Sequence, residues 1–373
     1  MNKPTYVEIE PTNSCNLRCR MCHVSFAKKK KTTFLDLSAV DFNFFKNARV
    51  SIGAAYEPTI HPEFNSLIHQ LNKVNAKISL ITNAKNLNRK NIPAIFDSDL
   101  ERVTFSFDGI SKHTYEHIRR NGNFYQTLED IEDFITKIRC RQSTHISVNN
   151  TVMKHNLLEV GETPKFWDKF GVNHVGFIRM QVRQLDQWMW ENSLWQVRDV
   201  FYSELEKAAT SILTSPLSIT MGVPKSSGDW NLRKKFDAPD GFISASPEKT
   251  YLPSIQFETQ YGKGFGTTFP CKSPFVSMRL LWDGSVKLCH NFYVGNVKRN
   301  SLQSIWNGPK AELLREIILK DKTNRVCNGC DYFRLCINYT NASYDDISSY
   351  FSGPMLSELE RRGFAIKPQS MLT

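Results

Sequence analysis

Apolar positions along the first half of the chain follow two rhythms that alternate. Tyr6-Val7-Glu8-Ile9-Glu10 changes between polar and apolar at every residue, the period of a strand with two unlike faces. Ser38, with Asp41 three residues on, reads as a variant capping box that opens a helix over Val40, Phe44 and Phe45. Residues 49–52 predict a second strand. Over 62–75, Phe64, Leu67, Ile68 and Leu71 fall on one helical stripe. Further strands are predicted at 77–82, 102–107, 145–152 and 174–178. Helices are predicted near 93–96, 124–139 and 163–170.

Six strands separated by helices imply parallel pairing and right-handed crossovers. Six βα units suit an open, partial (β/α)6 barrel of the α/β class better than a closed eight-stranded one. In such folds the chemistry sits where the strands end. The rhythm breaks after about Gln181. Residues 182–268 form an insertion or linker with a predicted helix over 194–213 and with Trp188, Trp190, Trp195 and Trp230. Those indoles suit core packing first and a substrate cavity second. A small cysteine-rich unit is expected at 269–340, and a tail with a short helix at 341–373.

The chain has 373 residues, 40% of them apolar and 23% charged, an ordinary globular composition. No apolar run approaches the roughly 20 residues that span a bilayer, and residues 1–7 lack a secretory signal, so a cytoplasmic location is expected. The formal charge is +11. Part of it is the run Lys28-Lys29-Lys30-Lys31, which reads as a solvated loop. The rest hints at an anionic substrate or partner. No nucleic-acid or membrane motif is present.

Cysteine placement changes the picture most. Eight of nine cysteines lie in two zones, 15–22 and 271–336. In a reducing compartment such clustering points to metal rather than disulfides. Cys140 stands apart, after a predicted helix, and reads as a buried or inert thiol. The first zone is Glu10-Pro11-Thr12-Asn13-Ser14-Cys15-Asn16-Leu17-Arg18-Cys19-Arg20-Met21-Cys22. Three thiolates can ligate three irons of a cubane and leave the fourth open. Zinc, with His23 as fourth ligand, is the rival.

This CxxxCxxC segment resembles that of the radical S-adenosylmethionine (SAM) superfamily, and the resemblance covers 5–181 as the catalytic barrel. It implies a [4Fe-4S] cluster on Cys15, Cys19 and Cys22, with SAM bound at the open iron and cleaved to a 5′-deoxyadenosyl radical. Gly53-Ala54-Ala55-Tyr56-Glu57-Pro58 is similar to the family's GGEP segment, so Glu57 is expected to hold the methionyl amine. Thr82-Asn83-Ala84 is similar to its TNG segment. By the same resemblance Ser106 contacts the ribose and Arg119 the methionyl carboxylate. Asn149 or Thr151 adds polar contacts, and Met21 and Val152 pack on adenine.

The second zone holds Cys271, Cys289, Cys327, Cys330 and Cys336, with a hairpin turn predicted at Asp283-Gly284. Together with Gly295-Asn296-Val297 and Ile305-Trp306-Asn307 it resembles the SPASM/Twitch extension. The expected ligands of one auxiliary [4Fe-4S] cluster are Cys271, Cys289, Cys327 and Cys330. Cys336 is spare, and Thr340 stands where a fuller pattern has cysteine. Four cysteines also suit zinc.

The function expected from this resemblance is an oxidoreductase that takes hydrogen from an unactivated C–H of a sugar-like or other small metabolite. A flavodoxin- or ferredoxin-like protein supplies the electron. The alternative is a maturase acting on a peptide or protein. The first strand begins near Thr5, which leaves no room for the leader-binding domain that such maturases often carry. A non-catalytic iron–sulfur scaffold is the third class.

Overall fold

The computed structural model describes residues 3–26, 31–87, 93–180, parts of 187–222, 255–256, 273–289 and 292–320. All six predicted strands are present: β1 (Tyr6–Ile9), β2 (Arg49–Ile52), β3 (Lys77–Thr82), β4 (Leu100–Ser106), β5 (His145–Val152) and β6 (His174–Arg179). They pair in sequence order and all in parallel. Two further parallel strands, β7 (Ser218–Gly222) and β8 (Ile255–Gln256), continue the sheet beyond β6. Both arise from the segment expected to be linker. Their short apolar stretches gave too little periodicity to separate strand from loop.

On its other edge β1 pairs in parallel with β9 (Ser277–Leu280). An antiparallel meander follows through β10 (Ser285–Cys289) and β11 (Phe292–Asn296). The predicted Asp283-Gly284 turn joins β9 to β10, with Gly284 at φ +86. The full order is β11-β10-β9-β1-β2-β3-β4-β5-β6-β7-β8. The fold is thus an open, partial barrel of the α/β class, and the C-terminal hairpin extends its sheet.

Alternation within the strands separates two environments. Val7, Val50, Ile78, Val103, Ile146 and Val175 are buried in the apolar core. Helices α1 (Phe64–Lys73), α2 (Lys112–Ile118), α3 (Phe124–Arg139) and α4 (Thr163–Asp168) belong to this side. In α1 the predicted stripe of Phe64, Leu67, Ile68 and Leu71 is fully buried, each side chain contributing about 1.5–3 kcal/mol. Asn123 caps α3 by accepting from Gln126 N. The opposite face carries a polar row in register from Arg279 through Glu8, Ser51, Ser79 and Arg102 to His145.

Two local expectations are corrected. The helix expected from Ser38 is two 3-10 turns, Leu37–Ala39 and Phe42–Phe45. Asp36 and Asp41 each cap the residue two positions on, so each turn is closed before a helix can propagate. Cys140 is exposed rather than buried, because it caps the C-terminal end of α3 on its outer side. Two short helices, α5 (Leu302–Trp306) and α6 (Pro309–Lys320), follow β11. Trp195, Trp230, most of the predicted 194–213 helix and the tail over 341–373 lie outside the described residues.

Candidate active site at the strand ends

β1 delivers the chain at its C-terminal end into the three-cysteine loop. The loop's first part is clamped to the segment ahead of Asp36: Leu35 N donates to Pro11 O, and Thr12 bridges Phe34. Its middle is tied to the end of α2, with Arg18 N donating to Arg120 O (3.0 Å) and Arg20 N to Ile118 O (2.9 Å). Cys22 N closes a turn on Cys19 O, and His23–Phe26 begins one helical turn. Glu57 N donates to Ser14 O. Asn83 Nδ2 reaches both Asn16 Oδ1 (2.8 Å) and Cys15 Sγ (3.4 Å). The loop therefore touches the residues after β2, β3 and α2, all at one end of the barrel.

Burial above all, with the neighbouring cysteines adding to it, pushes the Cys15 thiol up to about 11 and the Cys19 thiol to about 12. Such thiols stay protonated until a metal displaces the proton. No three His, Cys, Asp or Glu side chains converge as ligands of a single ion among the described residues. Thiols that bind three corners of a cubane are spread more widely than the ligands of one ion, so the donor set fits the cluster.

Glu57 lies fully buried beside this loop. Its carboxylate accepts from Thr59 N, Thr59 Oγ1, Thr82 Oγ1 and Asn83 N at 2.6–3.2 Å. Burial lifts its pKa against the pull of those donors. Glu57 thus pins the turn after β2 to the end of β3. That turn needs its glycine: Gly53 has φ +76, and a Cβ there would meet Pro58 Cγ at 2.6 Å. Ala84 also lies in the left-handed region at φ +66, so the Thr82-Asn83-Ala84 turn keeps glycine-like geometry with a methyl in place.

Arg119 is buried and pairs with Asp108 at 2.8 Å. Burial works to lower its pKa, but the Asp108 carboxylate prevails and holds the guanidinium charged. Asp108 is fixed in turn by Thr151 N. Arg119 Nε meets no partner among the described residues, so one donor of the fork is left for an anionic group. Ser106 ends β4, in register with Asn149, and Val152 is buried at the end of β5. Met21 is half-buried in the cysteine loop.

Sequence reasoning missed a second charged centre. Arg279 of β9 reaches Glu8 Oε2 at 3.2 Å and Glu10 Oε1 at 3.0 Å. Glu10 Oε1 also accepts from Ala55 N. Burial raises the Glu10 pKa despite Arg279. A usable signal was there: two carboxylates two residues apart on a central strand must meet a cation inside the barrel. Aromatic edges join the same regions, His23 to Tyr56 at 5.2 Å and Tyr56 to Trp282 at 5.1 Å. Of the second cysteine zone, Cys289 ends β10 and is half-buried. Cys271, Cys327, Cys330 and Cys336 lie outside the described residues.

Comparison with known proteins follows these two zones. Residues 9–163 match the Radical SAM superfamily model, and residues 271–331 match SPASM, an iron–sulfur cluster-binding domain. A tungsten-containing aldehyde ferredoxin oxidoreductase cofactor-modifying protein of Pyrococcus furiosus is 23% identical over 341 residues, covering 89% of this chain and 88% of that protein. The structure of anSMEcpe with bound AdoMet overlays with a TM-score of 0.59 at 18% identity, covering 97% of this chain and 96% of that one. Streptococcus suis SuiB bound to its precursor peptide SuiA gives 0.59 at 14% identity, covering 90% of this chain and 71% of that one. At such identity the structural likeness speaks for the fold. Two domain matches, in the order and at the positions the cysteines mark, show that the chain carries a Radical SAM superfamily domain followed by a SPASM iron–sulfur cluster-binding domain, which imply a [4Fe-4S] cluster, SAM binding and auxiliary iron–sulfur binding.

Proposed function

We propose that the chain is a radical SAM oxidoreductase that removes two electrons from a substrate carbon and passes the second one to its SPASM domain. The observation that carries this is the seating of the C-terminal hairpin. β9 runs parallel to β1, so the turn after it reaches the same end as the cysteine loop. Trp282 in that turn packs on Tyr56, and Tyr56 on His23, the residue after Cys22. β10 then runs back antiparallel to β9, so Cys289 at its end lies toward the start of β1, and an auxiliary cluster there would flank the barrel away from the cysteine loop.

In this reading Cys15, Cys19 and Cys22 hold the cubane, which together with SAM supplies a 5′-deoxyadenosyl radical. Arg119 takes the methionyl carboxylate through its remaining donor. Glu57, Thr82 and Asn83 shape the amine end, Ser106 meets the ribose, and Met21 and Val152 flank adenine. Cys271, Cys289, Cys327 and Cys330 hold the auxiliary cluster. An alcohol carbon that loses a hydrogen atom, a proton and an electron becomes a carbonyl, so a sugar-like or other small metabolite suits the balance. A second reading, modification of a peptide or protein, is favoured by the likeness to SuiB, which was solved with its precursor peptide.

Anaerobic reconstitution with counting of iron, sulfide and 5′-deoxyadenosine tests the proposal. The wild type should hold about eight irons, as two cubanes require, and Cys15/Cys19/Cys22→Ala should keep about four and release no 5′-deoxyadenosine. Four irons in wild type, all lost in the variant, would remove the auxiliary cluster and the electron route with it.

A further inference from the structure

Beside the cysteine loop lies a cationic face that the reaction at the strand ends does not use. The pairing of 18–20 with 118–120 brings Arg18 and Arg20 next to the exposed Arg120, with Cys19 between them in the chain. Arg20 stacks over Trp188 at 5.4 Å. At the first position of α2, Lys112 is exposed and sits over Tyr125, itself 66% exposed, at 5.8 Å. The segment after β5 adds exposed Lys154 and Leu158, the latter 75% exposed.

The histidines His113, His117 and His155 fill the middle of this face. Rings of His117 and His155 stack at 3.8 Å, and His113 lies 5.8 Å from His155. Burial first, then the charges of His155, Arg20, His113 and Arg120, lowers the His117 pKa to about 4, and burial lowers that of His155 as well. The stack is therefore neutral at pH 7 and forms a flat, uncharged floor between cations. Glu116 and Glu159 are the acidic groups here, and both are engaged locally: Glu116 accepts from Phe124 N, and Glu159 from Ile110 N and Ser111 Oγ.

We infer that this face docks an acidic one-electron carrier protein of flavodoxin or ferredoxin type, delivering its electron through the Arg18-Cys19-Arg20 strand of the loop. The inference rests on the proposed radical chemistry, which needs one external electron per SAM cleaved. A flavodoxin hydroquinone would give up one electron to become the semiquinone, and the cubane would accept it. The surface has what a transient electron-transfer contact needs: exposed apolar side chains in Tyr125 and Leu158, an uncharged histidine floor, and cations beside them. The chain's charge of +11 steers an acidic partner from a distance. Cys19 is only 9% exposed, yet its neighbour Arg20 reaches the histidines of this face, so the carrier need not enter the substrate's end of the barrel.

Lys112→Glu/Arg120→Glu tests this. Neither residue belongs to the SAM or cluster machinery, and a glutamate at the first position of α2 suits the helix end. Calorimetry with an oxidised acidic flavodoxin should show binding to wild type that weakens with salt. The double variant should bind about tenfold more weakly, as lost complementary charge predicts. Cluster reduction by flavodoxin hydroquinone should slow by a similar factor, while dithionite-driven 5′-deoxyadenosine formation stays within about twofold. Unchanged flavodoxin binding and reduction would overturn the docking site. No 5′-deoxyadenosine from wild type with dithionite would instead overturn the radical chemistry. Should the double variant fail to fold, Lys154→Glu is read by the same binding measurement.

Discussion

Two arginines, one buried and one half-buried, hold this molecule together on different scales. Arg119 meets Asp108 within one βα unit, and neither side chain is more than 6% exposed. Arg279 meets Glu8 and Glu10 across nearly the length of the chain and is 21% exposed. The first pair shapes the wall behind the cysteine loop. The second fastens the C-terminal hairpin to the first strand. A buried charge is costly unless paired, so each arginine makes its neighbours' geometry obligatory. Local pairing thus builds the radical-generating end, and long-range pairing fastens the C-terminal hairpin alongside it.

Arg119→Met should have the largest effect, since it strands Asp108 at full burial. Loss of about 3–5 kcal/mol is expected in urea unfolding, together with loss of 5′-deoxyadenosine formation. Arg119→Lys should recover part of the stability but little activity, because a single ammonium cannot span Asp108 and a second anion as a fork does. Equal activity of the lysine variant would reduce Arg119 to a structural cation.

Arg279→Met should cost less, about 1–2 kcal/mol, because water reaches this centre and the freed carboxylates can take up protons. Its mark is where the loss falls. Hydrogen exchange should quicken in β9, β10 and β11 while β3 to β5 stay protected. Uniform quickening throughout the sheet would erase the distinction between the two arginines.

The smallest effect is expected at the opposite end of the barrel. His145 and His174 lie near Arg102, with ring centroids 6.4 Å apart. Burial, then the Arg102 charge, lowers both to about 4. An unfolded histidine takes up its proton near pH 6.5, whereas these do so only near 4. Stability is therefore full above about pH 6.5, falls as pH drops towards 4 and levels off below. Urea midpoints at pH 7 and pH 5 should differ, and His145→Gln/His174→Gln should flatten the difference. A slope unchanged by the double substitution would assign the pH effect elsewhere.

The six strands were legible because each carries enough alternating or continuous apolar residues to show its period, as in Lys77–Thr82. β7 and β8 were not, since short strands in a loop-rich segment are fixed by the edge they pair with. Cys15, Cys19 and Cys22 were legible because chelation depends on spacing in one loop. Glu57 was named for an amine contact, yet its four hydrogen-bond donors come from beyond its own turn as well as within it.

The sequence by itself determined the parallel β/α order, the cysteine loop after β1 and the second cysteine zone, because these depend on periodicity and on short-range spacing. Tertiary structure decided which charges meet. Glu8 and Glu10 found Arg279, Arg20 found Trp188, and His117 found His155 only through the curvature and register of the sheet. The physical reason is that burial makes an unpaired charge expensive wherever it lies, but a chain pattern does not say which partner, hundreds of residues away, the fold will bring to it.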